Sequence, residues 1–106
     1  MVDSMEVLRT AIFDRWLKSL KDRIAVARIL VRIDRLALGN PGDVKSVGGG
    51  VSELRVDVGP GYRVYFAQRG EQLVLLVCGG DKSTQRQDII LAKQIAVDWR
   101  RDGQAK

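Results

Sequence analysis

Two periods organise the apolar positions of this chain. From Val51 to Phe66 (VSELRVDVGPGYRVYF) apolar and polar residues alternate, the pattern of strands whose side chains point to opposite faces in turn. Gly59-Pro60-Gly61 interrupts the run, which predicts a hairpin with those three residues as its loop. Val56 then lies opposite Val64, Leu54 opposite Phe66, Asp57 opposite Arg63 and Arg55 opposite Tyr65. One face, with Ser52, Leu54, Val56, Val58, Tyr62, Val64 and Phe66, is a core surface. The other face holds Val51, Glu53, Arg55 and Asp57 on the first strand and Arg63, Tyr65 and Ala67 on the second.

Helical spacing appears on either side of this hairpin. Met5 to Arg9 can form a short opening strand, and Thr10 is placed to cap a helix whose apolar residues are Phe13, Trp16, Leu17 and Leu20. Asp22 is the next cap. It opens a helix with Val26, Ile29, Leu30, Ile33, Leu36 and Ala37 on one stripe, stopped by Gly39-Asn40-Pro41-Gly42. The opposite stripe, Arg28, Arg32 and Arg35, is either a solvated face or part of a surface for RNA or a partner. Residues 40–50 are glycine-rich and predict a connector with Lys45 in its middle; Gly48-Gly49-Gly50 precede no helix and are a turn, not a phosphate loop. Leu73 to Cys78, apolar on both faces, predicts a central strand ended by Gly79-Gly80. Thr84 and Gln87 have capping-box spacing for a last helix with Ile90, Ala92, Ile95, Ala96 and Trp99 inward. Trp16 and Trp99, both on apolar stripes, are expected in the core. The order β-α-α-β-β-β-α predicts an α+β fold, a sheet packed against a helical hairpin and a C-terminal helix.

Composition narrows the chemistry. The 106 residues suit one domain, with a core over about 5–99 and a polar tail at 100–106. Apolar residues at 45% and charged ones at 29% argue against extensive disorder. No apolar run approaches the ~20 residues of a membrane helix, and the start MVDSMEV has no signal pattern, whether translation begins at Met1 or Met5. The lone Cys78 cannot form an internal disulfide, which fits a reducing cytoplasm and a buried strand thiol. A formal net charge of +5 favours anionic partners such as nucleic acid. The absence of histidine excludes His-based triads and His-ligated metal sites, so acid–base work falls to Lys, Arg, Tyr or carboxylates.

Four side chains are placed to converge. Arg55, Arg63 and Tyr65 share the non-core face of the hairpin, and Lys82 lies just past the third strand at the mouth of the last helix. Arginine forks beside a helix start suit a phosphate. Such a group could also assist cleavage of RNA by its own 2′-hydroxyl: the arginines stabilise charge, Lys82 moves a proton, and Tyr65 stacks on a base or stabilises charge through its hydroxyl. The same residues fit ordinary cross-strand ion pairs, Arg55 with Asp57 or Glu53. Asp81 is placed to pair with a neighbouring base or to help cap the last helix.

The run GDVKSVGGGVSELRVDVGPGYRVYF, followed by LVCGGDKSTQRQDI and a final helix ending in tryptophan, resembles toxins of bacterial type II toxin–antitoxin modules. It is similar to the RelE/ParE superfamily, in particular its HigB-like, phage-related addiction module killer group, over about Met5 to Trp99. ELR, GPGYRVYF and GGDKS in this order carry the likeness. It implies a RelE-like, mostly antiparallel sheet and, in the RelE branch, a ribosome-dependent mRNA endonuclease (an mRNA interferase) that inhibits translation and arrests growth without metal or cofactor. It implies catalytic roles for Arg63, Arg55 and Lys82 and RNA-backbone contact at Lys45; beside it, the reading of the residues adds Tyr65 as catalytic and Arg28 and Arg32 as RNA-binding. A helix-turn-helix antitoxin would be the partner, in the cytoplasm. Two positions depart from the RelE pattern: Asp88 stands about where some members have a tyrosine, and Glu53 where a lysine can occur. The ParE branch implies the alternative, a DNA gyrase inhibitor without nuclease activity; a non-toxic binding member is the third.

Overall fold

The computed structural model describes residues 4–104; Met1 as a start site and the tail residues Ala105 and Lys106 lie outside them. The chain runs β1 (Glu6–Arg9), α1 (Ala11–Ser19), α2 (Arg23–Ala37), β2 (Val44–Gly48), β3 (Val51–Val56), β4 (Tyr62–Arg69), β5 (Leu73–Asp81), a 3₁₀ turn (Lys82–Thr84) and α3 (Gln85–Gln104). The five strands form one sheet in the order β1-β5-β4-β3-β2, with β1 parallel to β5 and the other pairs antiparallel. This is an α+β fold.

The helix starts follow the predicted caps. Thr10 Oγ1 accepts from Phe13 N at 3.0 Å and donates to Val77 O at 2.6 Å, so one hydroxyl both caps α1 and ties it to β5. Such a cap contributes about 1 kcal/mol. Asp22 accepts from Ile24 N and Ala25 N at 3.0 and 3.2 Å and sets the start of α2. Each helix then covers a different face. Phe13, Ile29, Ile33 and Leu36 pack with Leu54, Val56, Val64 and Phe66 under the α1–α2 hairpin. Ala92 and Ala96 of α3 pack with Val51, Tyr65, Val77 and Cys78 on the other side. Trp16 and Trp99 border the two clusters, and Arg69 lies 4.1 Å above the Trp99 ring while donating to its carbonyl.

Several expectations are corrected. The face of the hairpin assigned as non-core is a second core beneath α3. The β3–β4 loop runs from Asp57 to Gly61, five residues and not three, held by Gly61 N donating to Val58 O with Gly59 and Gly61 at positive φ. Lengthening the loop by two slides every partner by two and leaves the faces unchanged. Leu54 therefore opposes Val64, Glu53 opposes Tyr65, Arg55 opposes Arg63 and Val56 opposes Tyr62. The glycine-rich connector contains an edge strand, β2, whose Val44 and Val47 reach opposite cores across a register shift near Gly48. On α2, Leu30 is 39% exposed and Ala25 is buried in its stead. On α3 the inward residue is Ile89, and Ile90 is 63% exposed. Thr84 and Gln87 do not form a capping box: Asp81 accepts from Ser83 N, and the Thr84 hydroxyl donates to Asp88.

Gly79 and Gly80 do not end β5; the strand continues to Asp81. A Cβ on Gly79 would collide with the Trp16 indole, and one on Gly80 with the Asp88 carboxylate and Thr84 Oγ1. The pair lets α1 and the start of α3 approach the sheet from opposite sides. Gly79→Ala is expected to cost about 1–3 kcal/mol through overpacking. Urea unfolding checks it: the midpoint should fall while the slope is unchanged.

Candidate functional site

At the open end of the β3–β4–β5 surface lies a cleft of about 300 Å³ lined by Asp43, Arg55, Asp57, Tyr62, Arg63 and Lys82, among others. Each wall has a local cause. Arg55 and Arg63 are directly opposed across the ladder, because the five-residue loop sets that register. Lys82 arrives through the 3₁₀ turn that follows β5, and a Cβ on Gly61 would sit 3.0 Å from Lys82 Cε, so glycine there leaves the amine room. Tyr62 packs edge-on against Trp16 with ring centroids 6.3 Å apart. Two guanidiniums, an amine and a phenol thus surround one opening.

Opposed arginines repel one another, and each has a carboxylate. Arg55 meets Asp43 Oδ1 at 2.8 Å with both side chains about half exposed, a contact that solvent screens to little net stabilisation. Arg63 differs: its Nε stands 3.4 Å from Glu53 Oε2, with side-chain exposures of 11% and 2%. That nitrogen is buried and its contact with Glu53 falls outside hydrogen-bond geometry, so the attraction is one of charge. Arg63 Nη1 donates to Gly61 O. Glu53 Oε2 also accepts from Tyr65 Oη at 3.1 Å and from Gln85 Nε2 at 2.9 Å.

The predicted site residues separate on this geometry. Arg55, Arg63 and Lys82 line the cleft. Tyr65 does not. It is fully buried beneath α3, and burial first, then the Glu53 carboxylate, raise its hydroxyl far above the usual phenol range. It is a fixed donor to Glu53, unable to stack on a base. Lys45 lies on the exposed edge strand opposite Glu53 and outside the cleft. Arg32 donates to Arg55 O at 2.6 Å, to Pro41 O and to Asp43 O, so its fork braces the cleft wall from behind. Arg28 and Arg35 edge a separate groove of about 620 Å³ along α2, floored by Ile24, Ala27 and Val31 and sharing Val56 and Asp57 with the cleft.

Sequence reasoning missed Tyr62, Asp43 and Glu53. Parity put Tyr62 among core residues, but its place at the strand end beside Arg63 was a usable signal. Nothing in the chain pattern brings Asp43 to Arg55. Cys78, predicted buried, is so; burial above all pushes its thiol up to about 12, so it takes no part in chemistry near neutral pH.

Asp81 ends β5 and caps the 3₁₀ turn that carries Lys82, and its carboxyl is held below the usual range, chiefly by the Ser83 hydroxyl and then by the Ser83 backbone N–H. A depressed folded value contributes stability that is present above the unfolded pKa of about 3.9 and is lost as pH falls through the folded value. Asp88 runs the other way, raised mainly by burial. Asp81→Asn should therefore lose less thermal stability than the wild type on going from pH about 6 to about 2. Melting curves at the two pH values measure that difference.

An uncharacterised protein of Haemophilus influenzae (strain Rd) is 52% identical over 93 residues, covering 88% of this chain and 94% of its own length. The family model for phage-derived Gp49-like proteins (DUF891) matches residues 15–96, a span that includes both arginines, Lys82 and the buried Glu53. The chain belongs to the phage-derived Gp49-like family.

Proposed function

We propose that this protein is the toxin of a type II toxin–antitoxin module and acts as a metal-independent endoribonuclease on messenger RNA at the ribosome. The observation that carries the reading is the convergence of Arg55, Arg63 and Lys82 on one cleft beside the last helix. In this mechanism the RNA 2′-hydroxyl attacks the adjacent phosphorus and displaces the 5′-oxygen. Arg63 and Arg55 hold the phosphate oxygens and stabilise the added charge. Lys82 is the proton-handling group in reach of the same opening, and Tyr62 offers its ring to a neighbouring base. The phage-related family and the RelE-like motif order support the assignment.

Arg63→Ala should abolish growth arrest and remove the new mRNA 5′ ends that primer extension detects. It also leaves Glu53 as an uncompensated buried carboxylate, which costs stability. Arg55→Ala and Lys82→Ala, at exposed or half-exposed positions, are the cleaner tests. Each should lower cleavage about 10²-fold without lowering the melting temperature. Full toxicity in both variants would defeat the proposal. Unchanged mRNA together with inhibited supercoiling by purified protein would assign gyrase as the target.

The partner in this reading is a helix-turn-helix antitoxin, and the α2 groove is its docking surface. Ile24 and Val31, 66% and 48% exposed, form an apolar floor with Arg28 and Arg35 on the rim. That surface suits an amphipathic segment with acidic flanks. Because groove and cleft share Val56 and Asp57, an occupant stands at the mouth of the cleft. Val31→Glu should leave toxicity intact and prevent its relief by the co-expressed antitoxin.

A further inference from the structure

Glu53 is the one charged residue buried among the described residues. A carboxylate out of water is tolerated only when its charge is met, and this one is met from two directions. Tyr65 Oη and Gln85 Nε2 both reach Oε2, at 3.1 and 2.9 Å. They come from β4 and from the first residue of α3, so strand and helix fix the same oxygen. Arg63 Nε faces that oxygen at 3.4 Å from inside the protein, Nη1 donates to Gly61 O, and the residue lines the cleft.

We infer that Glu53, held by Tyr65 and Gln85, is a positioning residue that orients the Arg63 guanidinium toward the bound phosphate; the inference rests on the reading of the cleft as an RNA-cleaving site. Three features support it. The carboxylate makes its closest approach at the Nε side of the fork, which aims the arginine from that side. The Tyr65 hydroxyl, buried against a negative charge, is a permanent donor and keeps Oε2 directed. Gln85 transmits the position of the α3 start to the site, so the helix that carries Lys82 at its mouth and the strand that carries Arg63 are referenced to one atom.

The charge of Glu53 gives this role a distinctive signature. Removing it makes the cleft more positive, which does not weaken attraction for an anion. It also releases the aim of Arg63, and misplacement of about 1 Å costs as much as 10²-fold in turnover. Glu53→Gln should therefore lower kcat by about tenfold to a hundredfold with KM unchanged or reduced. Tyr65→Phe, which keeps the ring and removes one donor, should give a smaller fall of the same kind. A merely structural role predicts parallel losses of folded protein with no such split.

The experiment has an arm that needs no activity. In the isotopically labelled free protein, the Arg63 Nε–Hε signal should exchange slowly and show high order. In Glu53→Gln it should broaden or lose order, while the Arg32 signal, pinned to main-chain carbonyls elsewhere, serves as the internal reference. Glu53→Asp should restore part of the order, and Gln85→Ala supplies a milder variant should Glu53→Gln unfold. An Arg63 signal unchanged in Glu53→Gln overturns the inference, as does an unchanged kcat. Wild-type protein that cleaves no RNA defeats the nuclease reading alone, and the Arg63 signal then decides the positioning.

Discussion

A sheet covered by helices on both faces has few places for charge. The α1–α2 hairpin lies on one side and α3 on the other, so side chains along the middle of β3, β4 and β5 meet apolar neighbours whichever way they point. The buried carboxylate of Glu53 is held there by hydrogen bonds from Tyr65 and Gln85 and by the charge of Arg63. Charged residues that must meet solvent are confined to the strand ends, where the covering helices begin or stop. The cleft is at such an end. Arg55 and Arg63 lie near the loop end of the hairpin, and Lys82 lies where β5 hands over to the last helix. Coverage of both faces thus decides where charged side chains can gather, and Tyr65, only two residues further along β4, falls on the dry side of that boundary.

The two arginines occupy opposed positions and different environments. Arg55 is half exposed and its pair with Asp43 is screened by solvent, so in the proposed reading an incoming anion would displace that carboxylate at little cost. Arg63 is nearly enclosed, and its partner cannot leave. One arginine is solvent-screened and the other enclosed. That division suits a site that must first capture a charged polymer and then hold one phosphate in register.

What was legible in the chain follows from the range of the interactions involved. Thr10 and Asp22 act on backbone groups two or three residues away, and their caps could be read directly. The faces of the hairpin depend on a period of two and survived the loop error. The register did not, because it depends on whether Asp57 and Val58 belong to the strand or the loop, and in the folded chain Gly61 N closes the loop on Val58 O. β2 was hidden because its glycines resemble a linker and its pairing partner supplies the order. Gly79 and Gly80 looked like an end because the crowding that requires them comes from Trp16 and Asp88, distant in sequence. In the site, Arg55, Arg63 and Lys82 were recoverable from parity and motif order. Asp43 was not, since only the fold brings it to Arg55.

The two departures from the RelE pattern acquire structural reasons. Asp88 sits over Gly80, accepting from the Thr84 hydroxyl at 2.6 Å, and secures the junction between β5 and α3. A tyrosine there would need space that the packed carboxylate now fills. Glu53 lies inside, where it neutralises and aims Arg63; a lysine in its place would put a third cation against that guanidinium and forfeit the bonds from Tyr65 and Gln85. The same two residues therefore exclude the side chains that could otherwise share proton transfer. Tyr65 is too deeply buried to replace them, and Cys78 is a buried neutral thiol. In the proposed mechanism proton movement is therefore assigned to Lys82, which lines the cleft together with Asp43, Asp57 and Tyr62.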